Sequence, residues 1–468
     1  MKWLFLVILA VASVLMAIAL GTAPSGRSDG VPVLVWATDD NPARQEQMAL
    51  FRQWHEERYG EPVDIRIDPS NYDRAKIVTQ SLAGVGPDVF DFFGAAALER
   101  FVRSGIILDV TEEARAKGFS PDIVWEGIRP SFVWEGRQYG FPDNTCGYIL
   151  IYHKDMLEAA GVPLPPAGGW TWAEFLETAG RLSFRRPDGL RQFALIAADP
   201  LEMIFQNGGE LFSPGGTRCI LDSPEAVEAI RFYEDLRSRW HVMPTAGDLA
   251  SMASAGGWGG GSDPLNQFAA KFCAMAWAGR YWFIGFDRDT GAALKQGKPP
   301  PFRFGVAPVP YFRKAHGRVG ARCTGISRTS PRIAYAKRFL EFLASEPFNR
   351  QINRSYDSLA TVKKYCTDDR GISDGRPPPP GLEAANDPLW LAAMTFSEEV
   401  PTSPFLSPYR VETLWWEEKG RLDAGDVTPE ECLRRFVRLV NEEIERNVAE
   451  NPPLAKRYAE ALAKEPKP

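Results

Sequence analysis

Between residues 31 and 92 the chain alternates short apolar runs with amphipathic helical stretches, and this order constrains the fold more than any other feature. VPVLVW at 31–36 reads as a strand, a helix with Pro in its first turn covers 42–58, and 63–67 alternates as a second strand. Ser70-Asn71-Tyr72-Asp73 leads into a helix ending near Leu82, Gly84 and Gly86 stop it, and 89–92 is a third strand. Apolar strands separated by helices are the pattern of a parallel sheet covered by helices. With 468 residues the chain is too long for one typical core, so at least two such units are expected.

A second organising stretch is 141–175, FPDNTCGYILIYHKDMLEAAGVPLPPAGGWTWAEF. It reads as a polar Phe141-Pro142-Asp143-Asn144 turn, a strand at 148–152 and a short helix stopped by Gly161. Pro163, Pro165, Pro166 and Gly168-Gly169 break the chain, after which Thr171 caps a helix with Glu174 in the capping-box position. Further helices are expected at 201–207, 223–239, 331–343 and from Thr428-Pro429, with strands at 193–198 and 304–309. Four consecutive prolines mark 369–381 as exposed loop, and the end of the charged tail is expected to be disordered.

A net charge of -6 is mild for this length and speaks against a nucleic-acid binder. The apolar run 3–21 follows Lys2 and is succeeded by small residues, so it reads as a cleaved secretory signal. It is also long enough to span a bilayer, which leaves an uncleaved anchor as the alternative. Either way the body of the protein lies outside the cytoplasm. Six scattered cysteines without a CxxC pair, together with only four histidines, give no metal-ligand spacing; one or two disulfides are allowed in an oxidising compartment.

The chain has no Walker loop and no H-E-x-x-H. A carboxylate pair for glycoside hydrolysis could be drawn from Asp39, Asp40, Asp91, Glu135 and Asp143, but so many acidic residues supply such candidates by chance. Aromatic residues beside polar or Gly-rich loops are more informative: Trp36, Tyr72, Phe92, Phe93, Trp258, Trp277, Tyr281, Trp282, Trp415 and Trp416. Aromatic faces stack on sugar rings while neighbouring polar groups bond the hydroxyls. For a single tryptophan, packing in the core is the commoner role. Trp258, set in AGGWGGG, is the best exception.

The order of LAGVGPDVF, the FPDN turn with GYILIYHKDMLEAAGV, TWAEF, NGG, KFCAMAWAGRYW, GVAPVP, TGISRTSPRIAYAKRFLEFLAS and TPEECLRRFVRLVNEEI resembles the extracellular solute-binding proteins of ABC importers, in the sugar- and oligosaccharide-binding group. The resemblance implies an α/β, two-lobed periplasmic-binding-protein-like fold (type II), with parallel-type sheets flanked by helices and lobes joined by hinge strands. It implies a signal at 1–23, lobe 1 at 31–142 and 311–356, lobe 2 at 146–304 and 372–455, crossing segments at 143–145, 305–310 and 357–371, and a disordered tail at 456–468.

The implied function is capture of a mono- or oligosaccharide in the interlobe cleft and delivery to a membrane permease, by a periplasmic monomer without catalysis, cofactor, metal or nucleic acid. A sugar-binding partner of a signalling receptor and a secreted hydrolase are the alternatives. The family's cleft positions fall on Asp39, Asp40, Asn41, Tyr72, Asp73, Phe93, Asp143, Asn144, Trp258, Gly279, Arg280, Trp282, Thr324 and Gly325, with Asp143, Trp258 and Trp282 foremost. The chain lacks the lipidated cysteine that many members carry, which implies a free form. Neutral and acidic ligands both remain open, Arg280 being the chief basic residue of this set.

Overall fold

The computed structural model describes residues 30–69, 73–253 and 263–465. The expected signal segment, Tyr72 and Trp258 lie outside them. The first unit follows the expected order: β1 (Val33–Ala37), α1 (Pro42–Tyr59), β2 (Asp64–Asp68), α2 (Arg74–Leu82), β3 (Val89–Phe93) and α3 (Gly94–Arg103). Asn41 caps α1 by accepting from the Ala43 amide, and Gly60 closes it in the left-handed region. Asp73 caps α2 through the Lys76 amide. β1 pairs in parallel with both β2 and β3.

The chain continues through β4 (Phe141–Gly147), β5 (Ile149–His153), α4 (Trp172–Leu182), β6 (Phe184–Arg185), β7 (Arg191–Ile196), α5 (Pro200–Gln206), α6 (Pro224–Ser238) and β8 (Cys273–Ala278). β9 (Phe304–Ala307), β10 (Gly317–Ile326), α7 (Ile333–Leu343), α8 (Glu346–Ser355), α9 (Leu389–Phe396), β11 (Ser397–Glu398), α10 (Pro408–Ala424), α11 (Pro429–Glu450) and α12 (Pro452–Leu462) complete it. One sheet has the order β11-β10-β3-β1-β2, with β4 also on β10; the other has the order β9-β5-β8-β7-β6. Both are mixed. β7 and β8 are parallel, whereas β10 runs antiparallel to β3 and β4, and β5 antiparallel to β8 and β9.

The FPDN segment is the main local correction. It is not a turn but part of β4, buried along its whole length. Its backbone is satisfied by β10, and the pairing shifts register between Arg322 and Cys323, opposite Pro142. A proline cannot donate to a ladder, so it sits at the irregularity. β4 leads directly into β5, and so passes from one sheet to the other.

Helices α1 and α7 cover the first sheet, where Phe51 and Phe339 meet edge to face at 5.0 Å. One face of the second sheet, carrying Leu150 and Tyr152, packs with Trp172, Trp415 and Phe436. The opposite face, carrying Ile149 and Ile151, joins the core of the first sheet. The expected capping box of Thr171 with Glu174 forms, and Thr428 makes a second one with Glu431.

The tail is ordered further than its composition suggested. α12 rests Leu454, Tyr458 and Ala461 on the second core, with Tyr458 against Phe405 at 5.1 Å. Beyond it the Glu465 carboxylate accepts from Ser213, the Gly215 amide and Thr217 at 2.7, 3.0 and 2.7 Å. All six cysteines are free and buried, so the disulfides that the compartment would allow do not form. Burial raises the Cys146 thiol to about 11, which leaves it inert beside the crossing strand.

Candidate functional site

Below the C-terminal ends of β1 and β3 lies a buried network of charges. Arg322 on β10 points its guanidinium among Asp143 at 3.0 Å, Asp91 at 3.4 Å, and Asp39 and Asp357 at 3.5 Å each. Arg44 on α1 bonds Asp39 at 2.8 Å and Asp357 at 2.5 Å. Asn144 donates to Asp357 at 2.8 Å. Trp36, Thr38 and Thr324 donate to Asp91 at 2.7, 2.6 and 2.8 Å. The network ties the first β-unit to β4, to β10 and to the segment after α8.

Four aspartates face two arginines here, and Asp91 and Asp143 are fully buried. The Thr324 hydroxyl lies 2.8 Å from Asp91 and 2.9 Å from Asp143. A hydroxyl has one proton to give, so it bonds both carboxyl groups only if one of them is protonated and donates back. Burial raises both: Asp91 to about 7, and Asp143, further opposed by the Asp91 charge, in the same direction.

The folded state therefore holds a proton that the unfolded chain releases near pH 4. The stabilisation is full below the unfolded aspartate value of about 3.9 and is lost as pH rises through about 7. Asp91→Asn should flatten the fall in Tm measured between about pH 5 and pH 8 relative to the wild-type protein. An unchanged slope would place the titration elsewhere.

Above this network the walls are open. Asp39 is one-third exposed, Asp40 is exposed and Asn41 is half-buried at the end of β1. Near the start of β10 the Arg318 guanidinium lies 5.1 Å over the Tyr148 ring and 3.3 Å from Asp199. Tyr281 follows β8 and is 40% exposed, although burial, Tyr148 and Cys146 raise its phenol well above the usual range. A Cβ at Gly279 would stand 2.7 Å from the Cys146 sulfur and 2.6 Å from the Tyr281 ring, so glycine is what lets these three converge.

Next to the network a cavity of about 560 Å3 is lined by Asp73, Arg74, Phe92, Phe93, Arg100 and Tyr409, with Ala75. Tyr409 belongs to α10, whose other face packs in the second core, so the cavity is walled by both units. Arg74–Glu412 at 3.8 Å and a hydrogen bond from Ser407 to Glu99 span the same seam, and Ser131 donates to Glu399 just after β11. Burial raises the Glu399 carboxyl to about 7.

The residues singled out from sequence thus separate. Asp39, Asp40, Asn41, Asp73 and Phe93 come to the open walls. Asp143, Asn144 and Thr324 lie beneath as buried hydrogen-bonding partners. Gly325 is inside the sheet, where a Cβ would meet Ile107 at 2.5 Å.

Arg280 is wholly buried and donates to the carbonyls of Ala385, Ser358, Asn353 and Ile372. Trp282 is 6% exposed and packs against Phe268 at 5.7 Å. In this conformation neither presents itself to the cleft, because each satisfies the core. Tyr148, Arg318, Arg100 and Tyr409 were not among the expected contacts. Tyr281, named in the sequence among the aromatics of the GRYW turn, is the one of that turn that faces outward. Among the described residues no group of three or more His, Cys, Asp or Glu side chains is placed to hold a metal ion.

The sequence profile of the bacterial extracellular solute-binding proteins matches residues 40–349, more than half of the chain. Among solved structures, an ABC substrate-binding protein of Listeria monocytogenes in complex with cycloalternan is similar, at a TM-score of 0.73 and 20% identity over 89% of this chain and 99% of that one. A solute-binding protein of an ABC transporter from Thermotoga lettingae, bound with α-D-tagatose, aligns at 0.69 and 22% over 88% and 100%. The maltose/maltodextrin-binding domain of Bdellovibrio bacteriovorus, bound to maltotriose, aligns at 0.62 and 16% over 89% and 100%. At these identities the structures establish the shared two-lobed fold.

Proposed function

The chain belongs to the bacterial extracellular solute-binding proteins, and from that premise we propose that its solute is a carbohydrate, captured between the lobes and passed to the membrane permease of an ABC importer. The observation that carries this reading is the meeting of aromatic rings and polar side chains at the seam: Tyr281 and Tyr148 on one side, Phe93 and Tyr409 around the adjoining cavity. Aromatic rings cover the C–H faces of a sugar, and Asp39, Asp40, Asn41 and Asp73 offer acceptors and donors for its hydroxyls. Asp143, Asn144 and Thr324 act through the groups above them. Solved relatives bound to cycloalternan, α-D-tagatose and maltotriose support the class.

In this reading β4–β5, the passage from β9 to β10 and the strap from β11 to α10 are the interlobe crossings. The family resemblance implies a third crossing at 357–371. Leu359, Val362 and Cys366 of that stretch pack in the core of the first sheet, which favours the strap. The protein works as a monomer in the periplasm, binding without catalysis.

A thermal-shift screen of the mature protein against neutral and acidic mono- and oligosaccharides tests the proposal, because a ligand that binds only the native state raises Tm. At a concentration about 100-fold above Kd the native state gains about 2.7 kcal/mol, an easily read shift. No shift with any saccharide would remove the carbohydrate reading and leave the family and fold in place.

A further inference from the structure

We infer that the saccharide is anionic and that Arg100 receives its negative group. The inference rests on the carbohydrate reading above and deepens it.

Arg100 lines the cavity of about 560 Å3 together with Arg74, Phe92, Phe93 and Tyr409. That volume lies within the range of small-ligand sites. Its guanidinium sits 4.9 Å from the Tyr409 ring, and among the described residues it has no carboxylate partner. The acidic groups near it are engaged elsewhere. Glu99 on the same helix pairs with Arg103 at 2.5 Å and accepts from Ser407. Asp73 accepts from the Lys76 amide at 2.8 Å as the cap of α2. Glu412 faces Arg74 at 3.8 Å. The cavity therefore holds one guanidinium whose charge is unanswered and a second that is only loosely paired.

The Tyr409 face holds the Arg100 fork in place without neutralising it, so little side-chain freedom is lost when an anion arrives. A planar guanidinium matches a carboxylate, a phosphate or a sulfate with two parallel hydrogen bonds. Phe93 and Tyr409 supply apolar faces for the sugar ring that carries the group. Arg280, the basic residue to which the sequence pointed, is fully occupied by backbone carbonyls and has no part in this.

The test is calorimetric titration of the mature protein with matched neutral and anionic sugars. Trigalacturonate, glucose 6-phosphate and a sulfated disaccharide form the three anionic arms; maltose, cellobiose and glucose form the neutral ones. One anionic arm should bind about 10- to 100-fold more tightly than its neutral counterpart, the span of a charge-assisted hydrogen bond, and the arm that does so identifies carboxylate, phosphate or sulfate. Arg100→Gln should abolish that preference and Arg100→Lys should restore part of it. Both variants should keep the wild-type Tm, because Arg100 is only half-buried.

A neutral saccharide bound as tightly as every anionic one would overturn the inference and leave the carbohydrate reading standing. A preference that survives Arg100→Gln would likewise overturn it. Binding of no saccharide in either set would remove both.

Discussion

Arg322→Met is expected to cost about 3–5 kcal/mol of folding stability, the usual penalty for stripping a buried charge network of one partner. Met keeps the packing of the arginine stem in β10 but withdraws the cation that four aspartates share, at 3.0 to 3.5 Å. Arg44 cannot take its place. It is wholly buried and already committed to Asp39 and Asp357. The carboxyl groups must then take up protons or draw water into the ends of β3 and β4, and either course loosens the crossing strands. Urea unfolding should show a lower midpoint with an unchanged slope. Removing Asp143 as well, as Arg322→Met with Asp143→Leu, should recover part of the loss, because the two act as one network. A loss below about 1 kcal/mol would mean that the aspartates are already neutral in the native protein.

The second large effect separates two adjacent residues. Trp282→Ala should destabilise the protein by about 3–5 kcal/mol, since it empties a large site in the core. Tyr281→Ala should leave Tm within a degree or so while weakening saccharide binding about tenfold or more, the loss of one stacking face at a cost near 1.4 kcal/mol. Trp282 is 6% exposed and Tyr281 is 40% exposed. They occupy a single turn of 3-10 helix, Arg280–Trp282, in which the first and third side chains enter the core and the second leaves it. If Trp282→Ala kept full stability and lost binding, the two roles would be reversed.

The same pair shows what could be read without coordinates. Periodicity and capping are local, and they placed α1, α2, α4 and α11 and the first three strands within a few residues. A three-residue turn has no period, so KFCAMAWAGRYW could not say which aromatic faces outward. FPDN looked like a turn because its residues favour one. It became a strand because β10, nearly two hundred residues later, supplies the pairing for its backbone.

Arg100 and Tyr409 were invisible as a pair for the same reason. They are three hundred positions apart, and only the approach of α10 to α3 brings them to one cavity. Asp143 and Thr324 read as ligand contacts in the sequence, and the structure gives them a deeper place, since a buried carboxyl group and its hydroxyl partner leave the same trace in a sequence as exposed ones.

The lobes touch through Arg74–Glu412, Arg100–Tyr409 and Ser407–Glu99, all at the seam where the saccharide is proposed to lie. Small-angle X-ray scattering of the mature protein, recorded without ligand and then saturated with the saccharide that binds best by calorimetry, tests capture between the lobes most directly. The account predicts a smaller radius of gyration in the saturated sample, because a ligand touched by both lobes favours the closed arrangement. Identical scattering curves, with binding verified in the same sample and the unliganded protein already open, would contradict it.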